Sequence, residues 1–325
     1  MSIFDKEVLL YKMIKLKKKT VNKKCLYFGC SGPAIKAHSI QKEKVLSKLA
    51  ENGKVMVLDI PKNIITMEPK GKMQASIFTG MCSKHDGEVF KAIDTQDYDI
   101  KNKEQEILFA YRAFVRELHT KKSSRNTSLA LVISFHEFGI TNIESIQART
   151  EGLSWALRDL DAYSSYFQSC IQKDGCKKLF TYHIQFETEF GIAVSSAISF
   201  PHDFLGNRLG HLDYDLGTRS KPLFVTIFPQ SGKTNVLLSM FDEDAGFYSF
   251  IENQLIQKSQ DKQKQLLTNL IVENCENLAL SPKYWNRLSD KTKDSILSAY
   301  LRNIGKDFDP SSLVTKRNFN FFLNL

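Results

Sequence analysis

"MCSKHDGEVF", residues 81–90, sets a cysteine and a histidine two residues apart, Cys82 and His85. Asp86 follows at what reads as the opening turn of a helix. A cysteine pair stands upstream, Cys25-x4-Cys30, in "KKCLYFGCSGPAIKAHSI", residues 23–40. Thiolate and imidazole suit zinc, and four such ligands close a tetrahedral structural site. Two to four residues between paired ligands let the chain fold back within about 4 Å of itself around one ion. Gly29 and Gly32 in the turn let backbone amides approach the thiolates. The plainer alternative is three ordinary thiols and a surface histidine.

A two-cysteine turn, then predicted strands, then a helix with the other two ligands in its first turn is the order found in zinc-binding treble-clef modules. "KEKVLSKLAENG", residues 42–53, reads as a short helix with Val45, Leu46 and Leu49 on one side and Gly53 as its stop. "KVMVLDIPKNIITM", residues 54–67, reads as strands broken at Pro61. Such modules draw much of their folding energy from the ion.

His38, in "IKAHSI" eight residues past Cys30, extends the pattern. With it the segment of roughly residues 20–100 resembles the HNH (ββα-metal) endonuclease superfamily. In its zinc-supported members a cysteine pair precedes a strand ending in a histidine, and a second ligand pair opens a helix. The resemblance implies that His38 is the general base that activates water, and that Asp86 binds the catalytic divalent cation, Mg2+ or Mn2+. An imidazole with a near-neutral pKa can take the proton, and a hard carboxylate suits such a cation. The resemblance has gaps. Ala37 stands where many members have Asp or His, and the middle Asn has no clear counterpart, Asn63 being nearest and Asn52 behind it. The distance from His38 to Cys82 is also longer than a compact hairpin needs. The plain readings are a His38 that orients the turn and an Asp86 favoured at a helix start by the dipole.

The rest of the 325-residue chain is long enough for one large or two ordinary domains. With 42% hydrophobic residues, 25% charged and 23 Phe, it belongs with folded globular proteins. "EQEILFAYRAFVRELHTK", residues 104–121, is an amphipathic helix with Ile107, Leu108, Tyr111, Phe114, Val115 and Leu118 on its apolar face. "TKKSSRNTS", residues 120–128, is polar and Ser-rich and reads as a linker. A helix is expected from about Ile143 to Gln172. Period-2 and β-branched runs follow, with a hairpin at "PQSGK", residues 229–233, and mostly helix from Asp244 onward. The expected architecture is α+β: an HNH-like zinc treble clef with a supporting helix over residues 1–122, and over 128–325 a larger domain with an antiparallel sheet flanked by helices.

The net charge of +9 and the eight lysines among the first 24 residues point towards a polyanionic partner. Tyr27 and Phe28 beside them read as bases' stacking partners or as filling for a small core. No run of about 18 apolar residues exists, which argues against a membrane span, and a cytoplasmic location is expected. Cys170 and Cys176 have no partner pair and read as core or surface thiols. "FPHDFLGNRLGHLDYD", residues 200–215, gathers His202, Asp203, His211, Asp213 and Asp215, which reads as an ordinary connection or as a second site. "QSGKT", residues 230–234, lacks the upstream glycine of a phosphate loop.

The resulting expectation is a metal-dependent endonuclease acting on nucleic acid, DNA favoured, with zinc on Cys25, Cys30, Cys82 and His85. Analogy with other HNH-like fingers attached to further domains extends this to bacterial phage defence. The alternative is a non-catalytic finger that binds nucleic acid or a protein partner, with specificity in the C-terminal part.

Overall fold

The computed structural model describes residues 15–16, 18–59, 65–137, 143–172, 178–199, 201–209, 219–302 and 311–323. Its first elements are β1 (Ala37–His38), a wide helical turn at Lys42–Leu46 running into α1 (Ser47–Leu49), β2 (Lys54–Asp59), β3 (Thr66–Gly71) and β4 (Ile77–Phe78). Next come α2 (Ser83–Val89), α3 (Lys91–Thr95), α4 (Lys103–Glu137) and α5 (Glu144–Gln172). Strands β5 (Leu179–Phe186), β6 (Ile192–Ser199), β7 (Pro222–Gln230) and β8 (Lys233–Phe241) lead to α6 (Gln260–Asn274) and β9 (Leu278–Leu280). Helices α7 (Pro282–Arg287), α8 (Asp290–Arg302) and α9 (Ser311–Val314) close the chain.

Seven strands form one sheet in the order β3-β2-β9-β6-β7-β8-β5, with every neighbouring pair antiparallel. Strands β7 and β8 are buried at nearly every position because both faces of the sheet are covered. The β7–β8 turn takes Ser231 and Gly232 at φ 53° and 82°, a left-handed pair that suits a two-residue hairpin. The pleat divides the core in two. Val225, Ile227, Val236 and Leu238 face α6, α8 and the aromatic tail at Phe319, Phe321 and Phe322. Phe224, Phe228, Leu237 and Phe241 face α4, α5 and the N-terminal segment around Cys25, Phe78 and Phe90. Phe109 of α4 stacks on Phe228 at 4.9 Å and Phe167 of α5 meets Phe224 at 5.4 Å, so the helical hairpin lies directly on the sheet.

The α+β expectation holds, with an antiparallel sheet and flanking helices. Two details differ from the sequence reading. Residues 120–128 are not a linker but the middle of α4. Their hydroxyls and amide hold the N-terminal segment: Asn22 N–H donates to Ser123 Oγ at 3.0 Å, Thr20 and Thr127 share a 2.7 Å hydrogen bond, and Asn126 Nδ2 donates to Thr20 O at 3.2 Å. Polarity here therefore marks a docking face. The second detail is the sheet itself: β2 and β3 join it through β9, with Val57 opposite Ala279 and Met56 opposite Leu280.

Cys170 is buried and disulfide-bonded, not a thiol as its lone placement suggested; Cys176 lies outside the described residues. None of the helices among the described residues is long and apolar enough to cross a membrane.

Candidate metal centre and its surroundings

The knuckle turn closes on backbone hydrogen bonds. Cys25 N–H donates to Gly32 O at 2.9 Å and Cys30 N–H to Tyr27 O at 3.1 Å. Gly29, at φ +66°, makes the left-handed step that an L side chain would resist. Gly32 has no such φ, and a Cβ there would meet Cys30 Sγ only at an ordinary 3.6 Å, so this glycine is not required for the approach. Two further bonds, Leu26 N–H to Gly80 O at 2.8 Å and Ile35 N–H to Met81 O at 2.7 Å, bring the start of α2 beside the turn.

Cys82 caps α2 and His85 follows one turn later, so both side chains point to one side of the helix. The ligand atoms of Cys25, Cys30, Cys82 and His85 all lie within 4.8 Å of one another. Nδ1 of His85 stands 3.3 Å from Cys82 Sγ and 3.5 Å from Cys25 Sγ. A tetrahedral zinc with ordinary bond lengths puts its sulfur and nitrogen ligands about 3.5 Å apart. The donor set fits, and these four residues could hold a metal ion such as zinc. Tyr27 stacks on His85 at 4.0 Å and fixes its plane, while Phe28 lies against Tyr111 in the core. Both aromatics are packing groups. Burial pushes the Cys25 thiol up to about 11, whereas the His85 backbone N–H holds Cys82 below its usual range.

His38 ends β1, paired with Ile77 of β4. Its Nδ1 lies 2.9 Å from Ala75 O, so Nδ1 carries the proton and Nε2 the lone pair. Burial lowers the His38 pKa, and Lys42 and Arg112 push the same way, so the ring is neutral near pH 7. Asp86 is half-buried on α2. Burial raises its pKa, Arg112 opposes the rise and Asp94 adds to it. Arg112, only 4% exposed, donates both terminal nitrogens to Asp94 at 2.8 and 2.7 Å over the Phe90 ring. A guanidinium thus acts on His38 and Asp86 together.

Arg112 and Asp94 did not emerge from the sequence; the one signal was an arginine beside Tyr111 and Ala113 on a helix face that is otherwise apolar. Asn52 sits with Gly53 in the left-handed turn between Glu51 and Lys54, at φ 49° and 73°, a role in backbone geometry. Asn63 lies outside the described residues.

The loop at 200–215 is structural where it is described. Burial pushes Asp203 up, but hydrogen bonds from Gln254, Asn207 and the Leu205 N–H outweigh it and hold the carboxylate down. Asp203 is therefore the staple of its turn. His202 pairs in a β-bridge with Arg208, and His211, Asp213 and Asp215 lie outside the described residues. Lys18, Lys19, Lys23, Lys24, Lys36 and Lys84 are exposed on the knuckle and the segments beside it.

Comparison with protein-family models, curated proteins and solved structures returns no match, so the reading rests on the residues themselves.

Proposed function

We propose that the chain is a metal-dependent endonuclease of the HNH type that hydrolyses phosphodiester bonds in nucleic acid, DNA favoured. Cys25, Cys30, Cys82 and His85 carry structural zinc, His38 is the general base, and Asp86 holds Mg2+ or Mn2+. The observation that carries this reading is the ββα unit itself. Strand β1 ends on His38, β4 pairs with it, and α2 opens on Cys82 and His85 with Asp86 next in line. The imidazole supports it further, since a neutral ring with Nδ1–H tied to a carbonyl offers Nε2 for a proton from water. The cation would stabilise charge developing on the phosphate. The exposed lysines suit a phosphate backbone, each contact releasing a counterion. Under this reading the finger does the chemistry and the sheet with its C-terminal helices carries recognition, with phage defence as the setting.

A second reading, a finger that binds nucleic acid or protein without cleaving, draws support from Asn52 being spent in a turn and from Asp94 being paired to Arg112.

Plasmid nicking with Mg2+ or Mn2+ tests the choice, wild type beside His38→Ala, with zinc quantified in both. The expected result is cleavage by the wild type, a loss of at least about a hundredfold in the variant, and one zinc per chain in each. Undiminished cleavage by His38→Ala removes the base assignment. No cleavage by either protein, with salt-sensitive DNA binding retained, selects the second reading.

A further inference from the structure

A cavity of about 530 Å³ opens between α4, α5 and β6, on the α4–α5 side of the sheet. Small side chains hold the layers apart there: Ala113 on α4, Ala156 on α5 and Ala197 on β6. The volume is that of a small-ligand site.

Arg116 lines this cavity. Its Nε is buried without a hydrogen-bond partner, its Nη1 bonds only to Thr120 Oγ1 one turn on, and the Phe78 ring lies 5.9 Å away. The neighbouring carboxylates are committed elsewhere. Glu117 pairs with Lys121 at 3.2 Å, Asp159 with Arg158 at 2.8 Å, and Glu273 with Arg317. Glu276 remains on the exposed rim, and among the described residues no carboxylate forms an ion pair with Arg116. Burial holds the Arg116 pKa below its ordinary value. The charges of Glu117 and Glu276 offset part of that shift without forming an ion pair. A buried guanidinium nitrogen left without a partner is costly, and a fold tolerates it where an anion arrives from outside.

The other walls say which anion. Ser124 and Ser199 add hydroxyls, and Arg149 and Lys121 stand in the same lining. Two guanidiniums with hydroxyls beside them suit the several oxygens of a phosphate better than the two of a carboxylate. Leu153 and Leu160 supply an apolar wall for the remainder of the ligand.

We propose that this cavity binds a phosphorylated small molecule of about nucleoside-monophosphate size, with its phosphate on Arg116. The site is separate from the finger and does not depend on nuclease activity.

Calorimetric titration of the full zinc-loaded chain with AMP, GMP, CMP, UMP and ribose 5-phosphate tests it, with adenosine and guanosine as controls. The expected result is saturable binding of at least one phosphorylated probe and none of the nucleosides. Arg116→Met should weaken that binding at least tenfold without lowering the melting temperature, since it removes an unpaired buried charge. Ala156→Phe keeps the charge and fills the space, and should also abolish binding; it decides alone if Arg116→Met fails to fold. The proposal is overturned if none of the five probes binds more tightly than roughly 1 mM, or if binding survives both substitutions. It is equally overturned if only 5′-phosphorylated duplex DNA binds.

Discussion

Thr79 donates its hydroxyl to Asn22 O, so the 3.0 Å contact with His119 must run from Nε2–H of the ring to Thr79 Oγ1. The proton of neutral His119 is thereby fixed on Nε2, and Nδ1 is buried with no partner. A second proton would arrive where nothing can accept it. Burial, aided by Arg116, pulls the His119 pKa down to about 4. An unfolded chain binds this proton near pH 6.5, so between those values the unfolded state holds more protons and stability rises with pH. Acidification from pH 6.5 to about 4 should cost on the order of 3 kcal/mol through this residue. His119→Gln keeps the N–H donor and should flatten that part of a denaturant-midpoint-against-pH curve; an unchanged slope would remove the assignment. At this scale the sequence is uneven in what it reveals. Cys25, Cys30, Cys82 and His85 were legible because ligand spacing is a local property of the chain. Arg112, Asp94 and His119 were not, because their roles depend on contacts that only the folded hairpin and helices create.

The knuckle and α2 depend on one another if a metal is bound, since the turn supplies two of the four residues that could hold it and the helix start the other two. Cys82→Ser should drop zinc to well below one per chain and cost about 3 kcal/mol or more of stability, structural zinc being worth far more than that in small modules. Metal analysis and a melt would show it. A variant that keeps full zinc and an unchanged melt would mean that the four residues do not form a metal site. At the β7–β8 hairpin, Gly232→Val should cost roughly 1–3 kcal/mol, because φ 82° is strained for a β-branched residue; chemical denaturation measures it. The hairpin and the apolar face of α4 were legible from period and turn residues. The middle of α4 was not. Ser123, Asn126 and Thr127 are linker letters by composition, and only their bonds to Thr20 and Asn22 show why they are helical.

The seven-stranded sheet takes β2 and β3 from before α4 and the remaining strands from after α5. Its existence and antiparallel character could be anticipated from alternation, but the insertion of β9 between β2 and β6 could not, because a three-residue strand carries no periodic signal. A fragment ending at residue 122 should therefore be insoluble or unfolded even with zinc, since it strips the partner from β2 and cuts α4 short. A fragment that gives a dispersed NMR spectrum would show that the finger stands alone. The pairing of Val57 with Ala279 also orders events during synthesis. Cys25, Cys30, Cys82 and His85 leave the ribosome well before β9, the strand that β2 needs, which follows about 200 residues later. At 5–20 residues per second that is a wait of roughly 10–40 s. During that interval the nascent hairpin presents an open edge. Lys54 and Asp59, the charged ends of β2, are the residues positioned to keep it from pairing with a neighbouring polypeptide before its own strand arrives.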